Sequence, residues 1–311
     1  FLSEAGGDML EAHALRYEKL FCELGLISGR VVLYGLKDAG FAHAVFSRLQ
    51  KRLPDLTLTG FARDELLLQA MMTKDENEVD HIRRMGKITT DVVGRTADFL
   101  CSHKARNDRL VHTDGSPLTI GEVKRKINLW LAEAGAENPE GTIFSIGRDA
   151  ALPHSTGKDT DTLRLGQPIV FDIFPCEEGG GYFYDFTRTW CLRYAPDEVV
   201  KLHEDVRSAY QTVVSKLEVG QPFWQAQQMT CDLFEAMGHP TVLTNPVTES
   251  GYVHSLGHGL GLQIHEKPFA SLSTHTDTDI LAPGSVFSIE PGLYYPEKGM
   301  GVRIEDTWLA K

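Results

Sequence analysis

Apolar residues at Leu10, Ala14, Tyr17, Phe21 and Leu24 recur at helical spacing and predict a helix over 8–25. "RVVLYG" (30–35) reads as a short buried strand ending in glycine, a helix follows over about 40–52, and "LTLTGF" is a second strand. Strand and helix alternate over these seventy residues, as in a small α/β domain. The texture changes at "MMTKDENEVDHI" (71–82), where charges cluster and a long amphipathic helix begins. A boundary near Thr73 divides the chain into 1–73 and 74–311.

Beyond that boundary one pattern occurs twice. Helices over about 76–103 and 119–135, the second opened by a Thr119…Glu122 capping box, precede strands near 142–147 and 168–174, with "GYFYDFTRTW" extended after them. Helices over about 197–218 and 223–237 precede strands near 284–290 and 301–308. A helix pair followed by a strand pair, repeated, predicts a duplicated α+β unit whose halves share one sheet.

Composition narrows the function. Of 311 residues 42% are hydrophobic and 24% charged, ordinary for a soluble globular enzyme. A net charge of −12 argues against nucleic acid and against an anionic membrane surface as partners. Cys22, Cys101, Cys176, Cys191 and Cys231 are scattered without a C-x-x-C pair, as expected of reduced thiols. No apolar run is long enough to span a bilayer, and "FLSEAGGDML" lacks the regions of a signal peptide, so a cytoplasmic location is expected. Because the chain opens on Phe1, a processed or truncated product is expected as well.

The informative charges are the ones in the wrong places. "PIVFDIF" (168–174) is apolar except for Asp172, and "GYFYDFTRTW" sets Asp185 among aromatics, with Thr187 on the same face as a hydrogen-bond donor to it. "SVFSIEPGLYY" ends an apolar strand on Glu290, and "GVRIEDTW" carries Glu305 with Arg303 on its face. A buried carboxylate must be paired, neutralised or bound to a cation. Four of them converging would repel one another, and two divalent cations would supply four compensating charges. An oxygen-rich set with one imidazole suits manganese, cobalt, iron or zinc.

"HSLGHGLGLQIHE" (254–266) adds three histidines. His254 and His258 are four apart, but Gly257, Gly259 and Gly261 argue against a helix, since interior glycine costs about 1 kcal/mol relative to alanine. Ser255 also stands where the zinc-protease helix motif needs glutamate. The glycines instead let backbone approach a ligand closely. One imidazole can complete a metal shell while others carry protons or bind substrate.

In order, "FDIF…GYFYDFTRT", "HSLGHGLG", "IHE", "IEPGLY" and "VRIED" resemble the successive motifs of the pita-bread metallopeptidases, which include aminopeptidase P, prolidase, methionine aminopeptidase and creatinase. The resemblance covers about 74–309 and implies a pita-bread (creatinase/aminopeptidase) fold of the α+β class with pseudo-twofold halves. It implies that Asp172, Asp185, His258, Glu290 and Glu305 ligate two divalent ions, manganese first, with Asp185 and Glu305 bridging. It further implies that His154, His254 and His265 contact substrate and that the protein is a homodimer. Residues 1–73 resemble the later part of the small amino-terminal domain of prolidase and aminopeptidase P, which favours cleavage before a proline at the second position of a peptide. The connection between Asp172 and Asp185 is longer than in familiar members by an even number of residues, which keeps both strands in phase.

The implied mechanism is attack on the scissile carbonyl by a hydroxide bridging the two ions. Glu290 would relay its proton, His265 would bind the oxyanion, and His154 would bind the scissile amide region. Arg303 would either meet a substrate carboxylate or pair with a site acid. Competing readings are methionine removal, metal-independent creatinase chemistry, and a non-catalytic peptide-binding module. The last two go with eroded ligands, whereas every ligand position here is filled.

Overall fold

The computed structural model describes residues 1–35, 37–273 and 276–311. The chain divides into two compact units, Phe1–Leu68 and Gln69–Lys311.

In the first unit Asp8 caps α1 (Met9–Glu23) by accepting from the backbone of Leu10 and Glu11. Strands β1 (Gly29–Val32) and β2 (Leu56–Thr59) run parallel, joined through α2 (Ala39–Arg52), the crossover that parallel pairing requires. Phe21, Leu49, Leu53 and Leu56 form its core. β1 is less buried than its composition predicts: Gly29 and Arg30 are exposed, and Val31 and Val32 are half-buried. The sheet has only two strands, and of β1 only Val31 reaches the helical cluster. A short helix, α3 (Glu65–Met71), spans the division between the units.

The second unit opens on α4 (Glu76–Cys101), whose capping box is reciprocal: Asp75 accepts from the Glu78 amide and Glu78 from the Asp75 amide. A hairpin of β3 (Lys104–Arg106) and β4 (Arg109–Val111) leads to α5 (Ile120–Glu133), which starts at the expected Thr119–Glu122 box. β5 (Ala136–Glu137) pairs with β8 (Cys176–Glu177). The main sheet of this half is β6 (Thr142–Ile146), β7 (Pro168–Ile173) and β9 (Phe186–Cys191), antiparallel in that order. Met85, Val92, Ile127, Leu131, Phe144 and Phe171 join helices and sheet in one core.

The other half repeats the plan with α6 (Asp197–Lys216) and α7 (Trp224–Ala236). Its four-stranded sheet comprises β10 (His258–Gly259), β11 (Glu266–Phe269), β12 (Val286–Ile289) and β15 (Asp306–Leu309), in the order β11-β10-β12-β15. β13 (Gly292–Tyr295) and β14 (Met300–Arg303) form a separate hairpin.

Two expectations need correcting. The strand predicted over 181–190 begins only at Phe186, because "CEEGGG" turns at Gly179 and Gly180, both at positive φ, and Cys176–Glu177 pairs back to Ala136–Glu137. The halves also do not share one continuous sheet. The strand predicted over 301–308 breaks at Ile304 and Glu305, so β14 pairs with β13 while β15 pairs with β12. The halves meet at an antiparallel bridge between Thr187 and Glu305, where the Glu305 amide donates to the Thr187 carbonyl at 3.1 Å.

Candidate metal centre

The nine residues singled out in the sequence, His154, Asp172, Asp185, His254, His258, His265, Glu290, Arg303 and Glu305, all line one cavity of about 640 Å³. Three of the four acids arrive there at an end or break of regular structure. Asp172 is on β7, paired in register with Ile143 and Thr187. Asp185 immediately precedes β9, with Thr307 Oγ1 donating to its carbonyl at 2.9 Å. Glu290 follows β12, its amide donating to the Leu256 carbonyl at 2.7 Å, and Pro291 ends the strand. Glu305 fills the break between β14 and β15.

Backbone crowding sets the position of His258. A Cβ on Gly257 would stand 2.0 Å from the Ser288 carbonyl oxygen, and one on Gly259 1.9 Å from that of Lys267. Only glycine allows these strands to approach, and the segment is extended rather than helical. His258 Nδ1 donates to its neighbour's carbonyl, Gly259 O, at 3.1 Å, which leaves the Nε2 lone pair facing inward. Nε2 lies 3.7 Å from Asp185 Oδ2 and 3.5 Å from Glu290 Oε1. Burial pushes the imidazole down to about 3, so at neutral pH it is uncharged and these contacts are not ion pairs.

Oxygen and nitrogen atoms of Asp185, His258 and Glu305 lie within 4.8 Å of one another. Two unit charges 4.8 Å apart repel by roughly 3 kcal/mol at an effective dielectric constant of about 20. The carboxyls respond by holding protons. Burial, then Asp172, raises Glu305 to about 8. Burial and the Glu305 charge also raise Asp185 and Glu290. One oxygen each of Asp172, Asp185 and Glu305 is buried without a protein partner. The cavity thus contains carboxylate oxygens that the protein itself does not satisfy, against the strong tendency of buried polar atoms to be paired. An oxygen-rich set with one neutral imidazole fits divalent cations.

Arg303 is the counter-charge the fold does supply. Its guanidinium donates to Asp172 Oδ2 at 2.6 Å, to Tyr294 Oη at 2.8 Å, to the Pro153 carbonyl at 3.2 Å and to Thr187 Oγ1 at 3.4 Å. Burial opposes that charge, but Tyr294, Asp172 and the neighbouring acids outweigh it and hold the pKa above its ordinary value. Of the two roles expected for Arg303, the geometry supplies the pairing with a site acid, and that acid is Asp172 rather than Glu305. Thr187 likewise serves a different acid from the one expected: its hydroxyl donates to Glu305 Oε2 at 2.6 Å, because Asp185 stops short of the strand that carries Thr187.

The remaining histidines differ in their freedom. His254 is held at both nitrogens: Nδ1 donates to its neighbour's carbonyl, Ser255 O, at 2.7 Å, and Nε2 accepts from Tyr294 Oη at 2.9 Å. Burial, then Arg303, pushes it down to about 3. His265 packs edge-on to His258 with ring centroids 4.4 Å apart, and desolvation lowers its pKa. His154 follows a short 3-10 turn (Asp149–Ala151) and is exposed at the cavity.

Three supports escaped the sequence reading. Tyr294 links Arg303 to His254; its signal was alternation along "GLYY", since Tyr294 and Gly292 fall on one face and Gly292 pairs with Arg303. Gln227 on α7, 1% exposed, accepts from Leu256 N and donates to His254 O, and a glutamine within a helix gives no signal of that kind. Lys74 and Glu266, 192 residues apart, form an ion pair at 2.6 Å, both buried, behind the His265 loop. No local pattern announces it.

Comparison with known proteins identifies the family. Residues 80–311 match the sequence model of metallopeptidase family M24. The chain is 28% identical over 242 residues to a probable dipeptidase PepE of Mycobacterium bovis, covering 78% of this chain and 57% of that protein. It is 33% identical over 247 residues to an Xaa-Pro dipeptidase of Pyrococcus furiosus, covering 79% and 62%. It therefore spans about three fifths of the length of these curated relatives. Among solved structures, an X-Pro aminopeptidase from Thermotoga maritima aligns with a TM-score of 0.72 at 25% identity, over 98% of this chain and 75% of that one.

Proposed function

Because the chain belongs to metallopeptidase family M24, we propose that it is a divalent-metal peptidase cleaving the bond before a proline at the second position of a peptide. The observation that carries this reading is the set of buried carboxylate oxygens on Asp172, Asp185 and Glu305 that no protein group satisfies, beside a neutral His258. Asp172, Asp185, His258, Glu290 and Glu305 would hold two cations, manganese first, with Asp185 and Glu305 shared between them. When bound, the cations would supply an acidified water and a Lewis acid for the scissile carbonyl.

The chain's own residues do the rest. Glu290, whose carboxyl is raised by burial and by Glu305, takes a proton at Oε and passes it to the departing amine. His265 and His154, both exposed at the cavity, would serve the scissile bond, His265 donating to its carbonyl oxygen and His154 contacting the peptide around the scissile amide. Arg303 holds Asp172 and, through Tyr294, the ring of His254. No helix among the described residues is long and apolar enough to cross a membrane, and we read the protein as a cytoplasmic homodimer. Residues 1–73 we assign to the small amino-terminal domain of the prolidase branch.

The test is hydrolysis of Ala-Pro-Ala by the purified protein after chelation and after readdition of Mn²⁺, with elemental analysis alongside. Turnover that follows the metal supports the reading. Turnover indifferent to chelation points to creatinase-type chemistry, and stoichiometric metal without turnover of any proline peptide points to methionine removal or binding alone. Asp185→Asn should abolish metal-dependent turnover, and a fully active variant would refute the shared-ligand assignment.

A further inference from the structure

A dipeptide and a longer peptide differ next to the scissile bond in one chemical respect. In a dipeptide the proline carries a free carboxylate, whereas in a longer peptide it continues as a neutral amide. A buried carboxylate without a partner is strongly disfavoured, so a site built for dipeptides should offer a cation there.

Among the described residues that line the cavity, Arg303 alone carries a permanent positive charge. It is 3% exposed, and its Nη1, Nη2 and Nε all donate to Asp172, Tyr294, Thr187 or Pro153. Moving it to a substrate would strand Asp172 and break the link to His254. The rest of the lining is apolar (Ile143, Phe174, Ile264, Phe269), hydroxyl-bearing (Thr156, Ser255, Ser271), imidazole or acidic, and adds no permanent positive charge. Glu140 lies exposed at the cavity, near enough for its charge to be felt at His265.

We infer that the cavity selects peptides of three or more residues and disfavours free dipeptides, through the charge of its lining. This rests on the peptidase reading above. The committed guanidinium cannot neutralise a substrate carboxylate, Glu140 repels one, and an amide continuing past proline meets neither penalty.

The experiment compares kcat/KM of the Mn²⁺-loaded protein on Ala-Pro, Ala-Pro-NH₂ and Ala-Pro-Ala. The amide differs from Ala-Pro only in the charged terminus. Both Ala-Pro-NH₂ and Ala-Pro-Ala should exceed Ala-Pro at least tenfold. Glu140→Gln should narrow the ratio of Ala-Pro-NH₂ to Ala-Pro several-fold, and Glu140→Lys further; an exposed position tolerates both. Ala-Pro turned over as well as its amide overturns the inference and leaves the peptidase reading standing. A ratio that Glu140→Lys does not move overturns the assignment of selectivity to the charge of the lining. Failure to cleave any of the three overturns the peptidase reading and this inference with it.

Discussion

Asp185, Glu290 and Glu305, whose carboxyls are raised by burial and by neighbouring acids, must give up protons before they can hold cations, and the number released can be counted. The perturbation is removal of metal by chelation, followed by titration with Mn²⁺ at fixed pH. With Glu305 at about 8, roughly nine in ten molecules carry its proton at pH 7 and roughly one in ten at pH 9. Asp185 and Glu290 are raised too, so at pH 7 uptake should release at least one proton per chain, falling as pH rises. Calorimetry in buffers of contrasting ionisation enthalpy reads that number directly. The same groups set a stability trend in the chelated protein. Glu305 is raised on folding, so its contribution is complete below the unfolded value of 4.5 and is lost as pH climbs through about 8. The full span corresponds to roughly 5 kcal/mol as a ceiling, and the urea midpoint in chelator should fall between pH 5.5 and 8.5. Saturating metal should abolish or invert that slope. Uptake at pH 7 with no proton release would show the carboxylates already ionised and the crowding argument wrong.

Other outcomes follow from single contacts. Thr187→Val removes the donor to Glu305 Oε2 and should weaken metal affinity about 10- to 100-fold, read by competition with a chelating dye. Lys74→Met leaves Glu266 buried without its partner and should cost about 3–5 kcal/mol in urea unfolding, most of it recovered in the Lys74→Met/Glu266→Leu pair. Gly259→Ala drives a methyl against the Lys267 carbonyl and should lower thermal stability and metal content together, whereas Gly94→Ala, whose added Cβ meets nothing within 4 Å, should do neither.

The site was legible because burial and charge conflict locally. Asp172 and Glu290 interrupt apolar runs, and each strand announces its own anomaly. The helices were legible for the same kind of reason, since Thr119 and Glu122 sit one turn apart and declare a terminus. Partnerships were not legible. Nothing near Arg303 says that its guanidinium reaches Asp172, 131 residues earlier, rather than Glu305 two positions on. The strand breaks before Phe186 and at Glu305 were equally hidden, because period-two alternation runs through "YFYDFTRT" and "VRIED" without marking where pairing changes partner.

Glu305 stands where the chain leaves the β13–β14 hairpin for the four-stranded sheet, and its backbone is pinned by Thr187 from the opposite half. Asp172 and Asp185 are set in place by one half of the duplication, Glu290 and His258 by the other. On the proposed assignment, refolding that completes only one half assembles half of the ligand set. Tight capture of a divalent ion should then emerge in the last kinetic phase, after helix formation is complete, which makes the ion a reporter of when the two halves finally lock.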